Sequence, residues 1–184
     1  MKSQQFKSKL LSLYYGNPIK DMKLIVVAND SQLLTSHFLH EILKSANKNV
    51  ALLAAERPFS ISMLHKFLSD AWKSGADFVI TTAPKKSLEN DVFCSLPIYE
   101  TLESEKNLLK SAKIFAQTSN IKLLNSKNYK QGTELTLAVN SEILNLATFA
   151  TGDQVVPAAI SAVALAKPLN IPSENITDGL ANYE

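Results

Sequence analysis

Apolar positions along the chain change period several times, and each change predicts an element. Residues 22–28 (MKLIVVA) form a nearly continuous apolar run rich in β-branched side chains, as expected of a strand covered on both faces. Residues 32–46 switch to helical spacing through Leu34, Phe38, Leu39, Ile42 and Leu43, after a polar Asn29-Asp30-Ser31 that offers caps. A second apolar strand is predicted at 50–54. A helix capped by Ser60 follows, carrying Met63, Leu64, Phe67, Leu68 and Trp72 and ending at Gly75, and residues 77–82 (DFVITT) make a third strand. Strand, helix, strand, helix, strand is the order of a parallel sheet with helices on its faces.

The pattern is less regular from 83 to 100, where Pro84 and Pro97 interrupt it. Residues 103–117 read as a helix, and 121–124 as a short strand. Leu135, Leu137 and Val139 alternate up to Asn140-Ser141, and Ile143, Leu144 and Leu146 follow, which predicts a β-hairpin. An alanine-rich run at 155–166 predicts a buried helix, and Pro172-Ser173-Glu174 opens a last one. At the other end, residues 3–14 form a short helix stopped by Gly16-Asn17-Pro18. The expected organisation is an N-terminal helix and linker over 1–17, then one α/β domain over 18–184. That domain has three layers, a mostly parallel sheet flanked by helices, and a small β-hairpin.

Composition narrows the partners. The chain has 184 residues, 46% hydrophobic and 20% charged, which suits one globular domain with a core. A formal net charge of +2 is too small to argue for nucleic acid or an anionic membrane as partner. The single cysteine, Cys94, builds no internal disulfide framework, which fits a reducing, cytoplasmic setting. No stretch approaches the roughly 20 apolar residues that cross a bilayer. The lysines and leucines at the N-terminus lack the apolar core and cleavage site of a signal peptide.

The order of these elements resembles the ATP-binding middle domain of the Mur ligases, most like the UDP-N-acetylmuramoyl-tripeptide synthetase type. That fold is a P-loop NTPase-like α/β domain. The family's pattern T-G-T-N-G-K-T-T follows an apolar strand, where this chain has Asn29, Asp30, Ser31, Gln32, Leu33, Leu34, Thr35 and Ser36. A phosphate loop needs glycines so that backbone N–H groups curl round the phosphates, a lysine to neutralise them, and a hydroxyl to hold Mg²⁺. The lysine position falls on Leu33 or Gln32 when one gap is allowed, and neither is cationic. Thr35 or Ser36 still supplies a hydroxyl. A second stretch, residues 75–90 (GADFVITTAPKKSLEN), resembles G-A-D-Y-V-V-L-E-V-S-S-H-A-L-D-Q without gaps. The resemblance places the Mg²⁺-binding glutamate on Thr82 and the histidine on Lys86. A threonine lacks the charge that holds a hard cation.

Further along, Ser111-Ala112-Lys113-Ile114-Phe115 resembles the segment whose lysine is carbamylated in several members, which puts Lys113 at that position. Residues 121–125 resemble the family's next strand without the aspartates of N-A-D-D. Residues 132–137 resemble its hairpin, and 152–166 with 171–181 (IPSENITDGLA) its closing helices. Pro157 stands near the family's base-contacting asparagine. The resemblance covers about residues 15–184, without the N-terminal UDP-sugar domain or the C-terminal domain that carries the incoming amino acid. Among other groupings, His37, His40 and His65 suggest a metal site only weakly, and structural histidines are the better reading. Glu103 and Glu105 read as a solvated face, and Trp72, Phe67 and Phe78 as core.

These features imply a non-catalytic Mur-ligase-like domain acting by protein binding. It has no catalytic residue, metal or cofactor of its own, and its partner is a Mur ligase, another cell-wall enzyme or a second copy. The alternative is a weak binder of ATP or another phosphometabolite at Asn29, Asp30, Ser31, Gln32, Leu33, Thr35 and Ser36, where ATP and Mg²⁺ would enter. A third reading is an amino acid ligase completed by domains in trans.

Overall fold

Apolar runs that lack a polar face become parallel strands, and runs with a 3.6-residue period become helices packed on one side. The computed structural model describes residues 22–28, 33–54, 61–83 and 121–183. The helices expected at 3–14 and 103–117 lie outside them. Strands β1 (Lys23–Ala28), β2 (Val50–Leu53) and β3 (Phe78–Ala83) form a parallel sheet in the order β1-β3-β2. Helix α1 (Leu34–Ser45) follows β1, and α2 (Ile61–Lys73) precedes β3. Strands β4 (Ile121–Tyr129), β5 (Gly132–Val139) and β6 (Glu142–Thr148) form an antiparallel sheet in sequence order. Helix α3 (Val155–Ala166), a turn of 3-10 helix (Lys167–Leu169) and helix α4 (Ser173–Ala181) complete the described chain.

The chain divides into two compact units. The first comprises residues Met1–Asn29 and Asn49–Leu109, and holds the parallel sheet with α2. In its middle strand, β3, Phe78, Val79, Ile80, Thr81 and Thr82 are all buried, as suits a strand with a neighbour on each edge. Helix α2 ends in a Schellman motif. Gly75 takes a left-handed φ of 76° and donates its N–H to Trp72 O, while Ala76 N donates to Ala71 O. Asn49 clamps this end from the β2 side, its Nδ2 donating to Ser74 O at 3.0 Å and Gly75 O at 2.9 Å. Phe78 is core as expected, and Phe67 is half-buried. Trp72 is not core: it is 43% exposed, because the buried stripe of α2 runs through Leu68, Ser69 and Ala71 and Trp72 sits at its border in the last turn.

The second unit comprises Asp30–Lys48 and Lys110–Glu184, and holds α1, the antiparallel sheet, α3 and α4. Helix α1 packs on both α3 and α4, and its Phe38, Leu39, Ile42 and Leu43 are wholly buried. Helix α3 carries no wide polar face, and its Val155, Ala159, Ala162, Val163 and Ala166 are inaccessible. Pro157 lies in its first turn, where a missing N–H breaks no helical bond. Gly179 lets α4 approach α1 backbone to backbone. Ser45 and Asn175 stitch the same contact: the Ser45 hydroxyl donates to Asn175 O, and Asn175 Nδ2 donates to Ser45 O at 2.7 Å.

The expected hairpin is the second half of a three-stranded meander. The strand expected at 121–124 runs on to Tyr129 and pairs antiparallel with β5, so it belongs to no parallel sheet. It was hard to read because nearly every β4 residue is exposed, which erases the period of two. A bulge between Leu123 and Asn125 shifts its register as well.

Candidate functional site

The candidate residues fall in both units, the ends of β1 and β3 in the first and the start of α1 in the second. Both ends of the connection from β1 to α1 are described. Ala28 closes β1 opposite Ala83, with Val27 opposite Thr82 in the parallel register. Leu33 opens α1. Of the residues expected to form the loop, Asn29, Asp30, Ser31 and Gln32 lie outside the described residues, as do Lys86 and Lys113.

Leu33 has φ 60° and ψ 11°, the left-handed conformation. Among the described residues, the other non-glycine positions with positive φ are Asn47, Asn140 and Asn170. Asparagine tolerates that region because its short polar side chain bonds locally. Leucine does not, at a cost of about 1–2 kcal/mol. Leu33 also gives α1 no side-chain cap, and the first turn of α1 holds no acidic residue. The next three residues, Leu34, Thr35 and Ser36, are all buried. The helix start therefore sets a buried apolar residue ahead of two buried hydroxyl-bearing ones. Leu34, outside the expected site, is the residue that stands directly before Thr35.

On β3, Thr82 is buried and uncharged, and Thr81 Oγ1 donates to Thr82 O at 3.3 Å. Neither residue offers the carboxylate a hard divalent cation takes. Among the described residues no three His, Cys, Asp or Glu side chains gather as a metal site would require. His40 is instead spent on α1's own surface, its Nδ1 at 2.9 Å from Glu41 Oε1, and Lys44 donates to both Glu41 oxygens. Partial burial pushes the Glu41 carboxyl upward, but the bonds and charges of Lys44 and His40 outweigh it and hold the group below its ordinary value. His37 lies against the Tyr183 ring, 6.1 Å between centroids, and Tyr183 meets Phe38 edge-on at 4.9 Å.

A second polar cluster joins β6, the 3-10 turn and α4. Lys167 Nζ donates to Glu142 Oε2 at 2.9 Å and also to the Ser173 hydroxyl. The Ser173 hydroxyl, with Lys167, holds the Glu142 carboxyl below its ordinary value. This cluster ties β6, the 3-10 turn and α4 together.

With this geometry the fold can be compared. No known family profile and no curated protein matches the sequence. Solved structures do match. MurF from Acinetobacter baumannii superposes with a TM-score of 0.70 at 14% identity, over 96% of this chain and 49% of that one. The UDP-N-acetylmuramoylalanyl-D-glutamyl-2,6-diaminopimelate–D-alanyl-D-alanyl ligase of the same organism gives 0.68 at 11% identity, covering 96% and 49%. Folylpolyglutamate synthetase from Lactobacillus casei gives 0.62 at 12% identity, covering 95% and 66%. The chain thus has the α/β fold shared by these Mur-type and folylpolyglutamate ligases, and spans about half the length of MurF. Among the described residues, no helix is long and apolar enough to cross a membrane.

Proposed function

We propose that this chain is a non-catalytic relative of the Mur ligase central domain that acts by binding another protein. The observation that carries the reading is the start of α1. A left-handed residue at this point suits glycine, and it is Leu33. Laid without a gap on residues 29–36, the pattern T-G-T-N-G-K-T-T sets its second glycine on Leu33, its lysine on Leu34, and its two last threonines on Thr35 and Ser36. That register moves the lysine position one or two residues beyond the placement a gapped pairing gives. In either register no cation is supplied. Leu34 is apolar and buried besides, so it supplies no positive charge where a triphosphate needs one. Thr82 at the metal-binding position agrees with this loss.

The proposed partner is a Mur ligase, another cell-wall enzyme or a second copy of this chain, with no cofactor of its own. The simplest test is thermal unfolding of the purified chain with and without millimolar ATP and Mg²⁺. A ligand that binds only the folded state at a hundred times its dissociation constant stabilises by about 2.7 kcal/mol. The expected result is an unchanged Tm. A saturable rise would overturn the reading and favour a weak nucleotide binder. The hydroxyls kept at Thr35 and Ser36, on the positive end of a 12-residue helix, are the observation on that side. Protein binding is tested separately, by sedimentation of the chain alone and mixed with a Mur ligase of its own host. A single monomeric species under both conditions refutes the proposed partners.

A further inference from the structure

We draw no further inference here: the strongest candidate, the exposed strand β4 with Leu123, Leu124 and Tyr129 at the margin of the antiparallel sheet, carries nothing because nothing in the structure shows what covers it.

Discussion

Replacing Gly179 by alanine tests the packing of the second unit at its tightest point. A Cβ built on Gly179 would stand 2.3 Å from Ile42 Cα, 2.6 Å from Ile42 N and 2.9 Å from the Glu41 carbonyl carbon. All three are backbone atoms of α1, so no rotamer change relieves the overlap. Ordinary carbon contacts lie at roughly 3.5–4.0 Å, so α4 must withdraw by more than an ångström. Withdrawal loosens Ile176 and Leu180, which are fully buried, and stretches the paired bonds between Ser45 and Asn175. Overpacking of this kind costs about 1–3 kcal/mol, and each weakened hydrogen bond adds about 1 kcal/mol. Alanine's better helix propensity returns at most about 1 kcal/mol. The net expectation is a loss of about 2–3 kcal/mol, read as a lower urea midpoint with the slope unchanged. For a chain of this size that corresponds to a Tm lower by about 4–12 °C. Asp178→Ala, one residue earlier on the exposed side of α4, is the control and should move stability by no more than about 0.5 kcal/mol. If Gly179→Ala is as stable as the parent or more so, α4 does not lie against the α1 backbone and the packing described for this unit is wrong.

Two smaller effects follow from the same reasoning. Asn49→Ala removes two bonds to the carbonyls that end α2, and because Asn49 is exposed the loss should be about 1 kcal/mol in urea unfolding; no change would mean that water replaces the clamp without cost. Glu41 ionises more readily when folded, so its contribution is complete above its ordinary value of 4.5 and fades as the pH falls through the lowered folded value. Glu41→Gln should therefore cost a few tenths of a kcal/mol near neutrality, as helix-surface pairs do, and nothing in strong acid; an equal cost at both ends of the range would refute the assignment.

What the sequence made legible follows its periodicities. The parallel strands β1, β2 and β3 are short apolar runs, and α1, α2, α3 and α4 carry a helical period or a dense alanine run, so each could be placed within a few residues. β4 was found at its start but not at its end, because a strand exposed along nearly all its length has no apolar face to alternate with. Trp72 misled for a different reason: apolar spacing locates a helical stripe but not where its border falls. At the candidate site the absent charges were plain from residue types alone. The left-handed backbone of Leu33 was not, since a leucine gives no sign of that conformation in the sequence. Gly179 shows the converse case. Its position in a recurrent closing-helix pattern was visible, but the cause, an approach to Ile42 Cα, lies in a helix more than a hundred residues away.

A glycine at a helix entrance does two separable things: it lets the chain turn left-handed without strain, and it leaves the N–H groups bare for an anion. Leu33 keeps the turn and gives up the ease. The burial of Phe38, Leu39, Ile42 and Leu43 behind it is ample to offset a local penalty of about 1–2 kcal/mol, so the helix forms with a leucine at this position. The two contributions can be taken apart by substitution. Leu33→Gly relieves the backbone while removing only a half-buried side chain, and should leave stability within about 1 kcal/mol of the parent. Leu34→Gly empties a buried site inside the helix and should cost about 3 kcal/mol or more. Equal costs at the two positions would contradict the left-handed Leu33. The double variant Leu33→Gly with Leu34→Lys then supplies the pattern's second glycine and its lysine. Under the proposed register it should acquire an ATP-dependent rise in Tm that the parent lacks, with Leu33→Gly alone showing none. Should the double variant fold as well as Leu33→Gly and still ignore nucleotide, the missing grip does not reside in these two side chains, and the proposed register falls.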